Sequence, residues 1–169
     1  TEVAKEAAQG QVCQAANDND PAQVVVSGHR EAVERAVEIA KTKGAKRALL
    51  LPVSAPFHCE LMAPAARVMA EALDDVEINE PAVPVVANVI ASDVSDPAAI
   101  RSLLVQQITG SVRWRECVAW MAAKGVTEAW EIGAGKALSG MIRRIAPEMA
   151  TRAIGTPEDV KAAVEALNG

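Results

Sequence analysis

Aromatic side chains are nearly missing from this sequence. It has no tyrosine, one phenylalanine and three tryptophans: Phe57, Trp114, Trp120 and Trp130. A module that binds single-stranded nucleic acid needs exposed rings on which bases stack, and four scattered aromatics argue against that class. A polybasic footprint is missing too. The 17 Lys and Arg stand against 22 Asp and Glu, a net charge of −5 with the signs mixed along the chain. Docking on DNA, RNA or anionic lipid is therefore not expected. No apolar run approaches the ~20 residues that span a bilayer, and the first residues carry no signal-peptide pattern. Cysteine is scarce: Cys13, Cys59 and Cys117 are odd in number, widely spaced and without metal-ligand pattern. They read as reduced thiols, which predicts a cytoplasmic protein. Histidine is scarcer still, with only His29 and His58.

What is present is aliphatic. Half of the 169 residues are apolar, so the core has to be built from Ala, Val, Leu, Ile and Met, a balance usual for an α/β protein. The length suits one domain or two small ones with a real core. The chain opens on "TEVAKEAAQG", without an initiator methionine, and this stretch already reads as the second half of a helix. We therefore expect a fragment of a longer protein.

Val24–Ser27 is a short β-branched run bounded by the turn-rich "NDNDP", and predicts a strand. Ser27-Gly28 offers a helix start. Ala32, Val33, Ala36, Val37 and Ala40 follow at helical spacing, with Gly44 where a terminating glycine belongs. Residues 47–53 read as a second apolar strand. Residues 1–54 thus read as helix, strand, strand, helix, strand, a ferredoxin-like β-α-β-β-α-β unit without its first strand. Leu61, Met62, Ala65, Ala66, Met69, Ala72 and Leu73 mark a helix in which Pro64 fits only the first turn. Residues 83–89 predict a buried strand, interrupted by Pro84. Asp96-Pro97 caps and opens a helix to about Gln107, and Ser111 starts another that Gly125 ends. Residues 128–132 predict a strand leading into the glycine loop "GAGKALSG" and a short helix to Ile145. Residues 152–154 predict a last strand, and "TPED" (156–159) a capping box opening the terminal helix. Strands alternating with helices beyond residue 82 imply a parallel sheet.

One residue stands out as chemistry. His58, in "LPVSAPFHCELMAPAA" (51–66), lies just past a strand-like run at the start of a helix, where α/β proteins place ligand sites. The positive end of that helix would favour the neutral imidazole of a general base. A histidine satisfied by a backbone carbonyl at a domain seam is the bland alternative. A base needs a nucleophile, and the 169 residues contain no G-x-S-x-G elbow. Ser54 and Ser139 lack that context. Cys59 follows His58 directly, and neighbouring helical residues point about 100° apart, so the two do not pair as nucleophile and base. The loop "IGAGKALSG" (132–140) matches neither a Walker A loop nor G-x-G-x-x-G, and reads as a tight strand-to-helix turn. His29 reads as a surface residue. Asn17, Asp18, Asn19 and Asp20 lack calcium-loop spacing and read as a turn.

The stretch "GHREAVERAVEIAKTKGAKRALLLPVSAPFHCELMAPAA" (28–66) resembles bacterial malonyl-CoA:acyl carrier protein transacylases. "NEPAVPVVANV" (79–89), "IRSLLVQQITGSVRW" (100–114) and "EIGAGKALSGMIRRI" (131–145) follow in the order of that family. The resemblance implies a hydrolase-like α/β parallel-sheet core with an inserted ferredoxin-like subdomain: residues 1–54 the incomplete insert, residues 55–169 the C-terminal part of the core. It implies malonyl transfer from coenzyme A to the pantetheine thiol of acyl carrier protein through a serine-bound intermediate. That serine sits in an elbow upstream of everything present in this sequence, so the chain alone is expected to be inactive. Carried over by position, His58 matches the catalytic histidine, and Gln107 the residue whose main-chain carbonyl accepts from it. Asn88 matches a position near the histidine, and Asn17 and Asn19 match asparagines beside the substrate entrance. Phe57 resembles the malonyl-type "AFH" pattern, with Pro56 where that pattern has alanine. Lys46 and Arg47 match a basic pair that docks the carrier protein. No permanently bound cofactor or metal is implied, and the complete enzyme is expected to be a monomer. A non-catalytic interaction module and a serine hydrolase of the same architecture are the alternatives.

Overall fold

The structure, a computed structural model, describes residues 2–168. The chain is α/β, with seven α-helices and six strands among these residues. It divides into two compact units, residues 1–19 with 23–114, and residues 20–22 with 115–169.

The first unit begins with α1 (Glu2–Ala8), β1 (Cys13–Asp20), β2 (Gln23–Gly28) and α2 (Arg30–Thr42). Its core is small-residue packing: Ala4 and Ala7 of α1, Cys13 of β1, and Ala32 and Ala36 of α2 are buried together. Alanine faces let the two helices approach closely, which is how a chain so poor in rings still fills its interior. Gly28 is required here. It has φ +158°, and a Cβ built on it would lie 2.0 Å from the Val12 carbonyl oxygen. The same oxygen accepts from the His29 N–H at 2.9 Å. His29, expected on the surface, is half-buried and caps α2. Its Nδ1 accepts the Val12 N–H at 2.9 Å, so its proton is on Nε2. Gly44 follows α2 at φ +87° as expected.

The "NDND" stretch, read as a turn, is instead the end of β1. Pairing with β2 outweighs the low strand propensity of Asn and Asp. Residues 47–53 read as a strand but have no strand partner among the described residues; they form no regular element, Val53 N–H bonds back to the Leu51 carbonyl at 2.9 Å, and Leu49, Leu50, Leu51 and Val53 are exposed. A strand is a pairing as well as a composition, and composition supplies no partner. After a 3-10 turn at Glu60–Met62 comes α3 (Ala63–Asp74), with Pro64 in its first turn as the sequence requires. The 83–89 run narrows to β3 (Val85–Ala87), which is only half-buried and pairs antiparallel with β4 (Ser92–Val94), Val86 opposite Asp93. The sequence carried no clear signal for β4. α4 (Pro97–Thr109) starts where expected, with the Asp96 carboxylate accepting from the Ala99 N–H at 2.7 Å. Residues 111–113 are not helical. They lie along β1, bridging Asn17 to Val112 in parallel, with Val112 N–H on the Ala16 carbonyl at 2.8 Å and Asp18 N–H on the Val112 carbonyl at 2.9 Å.

The second unit holds α5 (Trp114–Ala123) from Arg115 onward, β5 (Glu128–Ile132), α6 (Ala137–Ile145), β6 (Ala150–Ile154) and α7 (Pro157–Asn168). β5 and β6 run parallel, Trp130 opposite Arg152, and the guanidinium sits 5.0 Å from the indole centroid. The parallel arrangement expected beyond residue 82 is met by this pair alone; β3, in the same stretch, pairs antiparallel with β4. At the start of α7 the Thr156 hydroxyl accepts from the Asp159 N–H, and the Asp159 carboxylate accepts from the Thr156 and Gly155 N–H groups. These bonds, chiefly the one from Gly155, hold the Asp159 carboxyl below its usual value. In the same unit the Asp20 carboxylate, fully buried, accepts from the Nε and Nη2 of Arg144 at 3.0 and 2.6 Å.

Candidate active site

The loop from Ser54 to Cys59 places His58. Phe57 N–H bonds back to the Ala55 carbonyl at 3.0 Å, and the Cys59 thiol donates to the Pro56 carbonyl at 3.1 Å. Between these bonds His58 takes φ +58°, the left-handed region that a β-carbon makes costly by about 1–2 kcal/mol. Strain of this kind persists where the surroundings over-determine it. Here they do: Cys59 is fully buried, and Glu60 N–H is tied to the Gln14 side-chain oxygen at 2.9 Å.

The side chain is fixed from α4. His58 Nδ1 lies 2.9 Å from the Gln107 carbonyl oxygen and 3.2 Å from that of Gly110. Carbonyl oxygens only accept, so Nδ1 carries a proton and Nε2 is left with its lone pair in the neutral ring. Gln107 is in the last turn of α4, where carbonyls have no intrahelical partner. The histidine takes up one of these orphan groups. His58 directly precedes Cys59, the N-cap of the 3-10 turn at Glu60–Met62 that runs on into α3, so a helical start does follow the histidine as expected. What the ring meets is the C-terminal end of α4, whose free carbonyls call for a donor at Nδ1.

Around this pair, the Asn88 side-chain amide donates to the Gln107 side-chain oxygen at 3.4 Å, and Arg113 donates to the Val89 carbonyl at 3.1 Å. Asn88 and Gln107 also line a cleft of about 230 Å³ with Val85, Ile100, Leu103 and Leu104. The structure therefore brings together His58, Gln107 and Asn88, with Phe57 beside them and 48 % exposed. Asn17 is half-buried where β1 bridges to Val112. Asn19 is also half-buried and donates from its side chain to Gln23 at 3.2 Å. Lys46 and Arg47 are exposed in the irregular segment after α2. Ser139, unassigned by the sequence, is buried and donates to Glu131 at 2.6 Å. Glu131 also accepts from the Leu138 and Ser139 N–H groups at 3.0 and 2.7 Å. Chiefly the Ser139 hydroxyl, with these N–H groups, holds the Glu131 carboxyl below its usual value. The glycine loop is thus closed by a carboxylate at the start of α6, which fits a structural turn and not an anion site. Gly110 and Cys59 were missed as site residues. A backbone carbonyl and a turn-closing thiol leave no pattern in a sequence.

The chain is 47 % identical over 161 residues to the malonyl CoA-acyl carrier protein transacylase of Escherichia coli (strain K12), covering 95 % of this chain and 52 % of that protein. To the protein of the same name in Bacillus subtilis (strain 168) it is 43 % identical over 159 residues, covering 94 % of this chain and 50 % of that one. The chain belongs to the malonyl CoA-acyl carrier protein transacylases. It spans about half the length of the curated relatives it matches. Solved structures of the family superpose closely. The acyl-carrier-protein-S-malonyltransferase of Bartonella henselae matches with a TM-score of 0.94 at 51 % identity, covering 99 % of this chain and 54 % of that one. A malonyl-transacylase solved in complex with its type II PKS acyl-carrier protein matches with a TM-score of 0.93 at 42 % identity, over 98 % of this chain and 53 % of that one. No family model matches the chain.

Proposed function

We propose that this chain carries the general base of an acyl carrier protein S-malonyltransferase. The observation that carries the proposal is the pair of carbonyl oxygens on His58 Nδ1. They hold the ring as the tautomer whose Nε2 accepts a proton. In the proposed reaction Nε2 takes the proton of a serine hydroxyl as that oxygen attacks the malonyl thioester carbonyl. The proton then goes to the departing coenzyme A sulfur, leaving malonyl on the serine. In the second half Nε2 takes the proton of the carrier protein's pantetheine thiol, whose sulfur attacks the malonyl ester. The proton returns to the serine oxygen as the product thioester forms. A neutral carbonyl in place of a carboxylate suits an acyl group already activated as a thioester.

The serine is expected in the part of the relatives that these residues do not span. Residues 1–54 belong to an incomplete ferredoxin-like subdomain and 55–169 to the acyltransferase core; the α1-β1-β2-α2 order of residues 2–42 supports the insert, while the compact units divide at residue 114 and not at 54. Phe57 crowds an α-methyl branch and so favours malonyl over methylmalonyl. Asn88, Asn17 and Asn19 border the substrate, and the exposed Lys46 and Arg47 offer cations to the acidic carrier protein. The complete protein acts as a monomer in the cytoplasm. No helix among the described residues is long and apolar enough to cross a membrane.

The test is malonyl transfer from malonyl-CoA to holo-acyl carrier protein. A protein that joins this chain to the serine-bearing half is expected to be active, and its His58→Gln variant to lose roughly 10³-fold or more. The 169 residues alone are expected to transfer nothing. Robust transfer by them, or an undiminished His58→Gln variant, overturns the proposal and favours an interaction module. Efficient release of malonate to water without transfer favours a hydrolase.

A further inference from the structure

We infer that Gly110 is a second positioning residue for His58, acting through its carbonyl oxygen, and that glycine is needed there for space. The inference rests on the reading of His58 as a base only for its catalytic consequence; the geometry stands by itself. Gly110 caps α4 with φ −83° and ψ 152°, a conformation open to any residue. Its requirement for glycine is therefore not conformational. A Cβ built at this position would lie 2.6 Å from Val89 Cγ1 and 2.9 Å from the Gln106 carbonyl oxygen.

The Gln106 contact cannot relax by turning a side chain, because that oxygen belongs to the backbone of α4 and already accepts the Gly110 N–H at 2.9 Å. Any side chain at 110 displaces the residue from α4, and its carbonyl moves with it. Gln107, inside the helix, stays. His58 Nδ1–H then loses the 3.2 Å partner and keeps the 2.9 Å one. One acceptor sets where Nδ1 points. A second limits rotation of the ring and raises the energy of the alternative tautomer, which would turn a lone pair toward both oxygens.

The two histidines make the test internal. His29 accepts at Nδ1 and His58 donates there, so ¹⁵N shifts of labelled histidine in the folded 169-residue chain report opposite tautomers in one spectrum. Gly110→Ala is expected to raise the ratio of Nε2–H to Nδ1–H in neutral His58 roughly fivefold, the worth of about one neutral hydrogen bond, and to leave His29 unchanged. Gly140→Ala, where a Cβ meets only an Arg144 nitrogen at 3.9 Å, is the control and shifts neither. If Gly110→Ala does not fold, replacing the Ser111 N–H by an ester oxygen weakens the Gly110 carbonyl as an acceptor and adds no volume; the same shift in His58 is expected. An unchanged His58 tautomer ratio in whichever of these proteins folds overturns the inference.

In a protein joined to the serine-bearing half, Gly110→Ala is expected to lower kcat about 10- to 100-fold, as small misplacements of a catalytic group do, with KM unchanged. A shifted tautomer with undiminished transfer sustains the role of Gly110 and refutes His58 as the base. An unchanged tautomer with lost transfer refutes Gly110 and leaves the base in place.

Discussion

The thiol of Cys59 donates to the Pro56 carbonyl oxygen at 3.1 Å, and the bond closes the turn that holds His58 at φ +58°. A residue that looks like a bystander of the histidine is the clasp of its loop. Cys59→Ser keeps a donor of similar reach, whereas Cys59→Ala leaves the Pro56 carbonyl without this partner. Cys59→Ala is expected to lower stability by about 1–2 kcal/mol, and Cys59→Ser by less than half of that. Urea unfolding midpoints measure both. Equal losses in the two variants show that volume, and not the bond, is what Cys59 contributes.

His58 is held at a backbone conformation that costs a β-branched residue most. We expect His58→Val to be less stable than His58→Gly by at least about 1 kcal/mol, although valine is ordinarily the better core residue. Thermal unfolding of the two variants tests it, and a more stable valine variant shows that the loop relaxes to a negative φ when the imidazole is gone. The strain is then imposed by the ring's bond to α4 and not by the loop.

Gln107 contributes its main chain to His58 and its side chain to Asn88. Gln107→Ala keeps the first and removes the second. In the joined, active protein its transfer rate is expected to fall less than ~10-fold, against roughly 10³-fold for His58→Gln. Malonyl transfer kinetics decide, and a loss as large as that of His58→Gln shows that the glutamine side chain itself is essential.

Glu131 gives the fold a defined acid sensitivity. Its carboxylate accepts from the Ser139 hydroxyl and from the Ser139 and Leu138 N–H groups, which lowers it from the ordinary glutamate value of 4.5. The folded value is below the unfolded one. The carboxylate's stabilisation is therefore complete above about pH 5 and is lost as pH falls through the folded value. Glu131→Gln removes the charge at every pH. The gap in melting temperature between the two proteins is expected to be widest at neutral pH and to close as pH falls below the ordinary glutamate value and through the lower folded one. A gap that does not change with pH assigns the difference to hydrogen-bond geometry alone.

The sequence by itself determined the elements whose signals are local. The β5 strand over 128–132, Asp96 as the cap of α4, Pro64 in the first turn of α3, and the Thr156–Asp159 capping box needed only periodicity and the hydrogen-bonding habits of single side chains. His58 was legible as a candidate because histidine is rare here and sits at a junction, and Gln107 and Asn88 came from family resemblance. Tertiary structure decided what depends on partners. "NDND" is a strand because β2 pairs with it, and residues 47–53 are not one among the described residues because nothing pairs with them. It also decided what the imidazole bonds to: the carbonyls of Gln107 and Gly110, 49 and 52 residues away. Every residue has a carbonyl, so no residue type marks the two that matter; only the fold's closing of that distance selects Gln107 and Gly110.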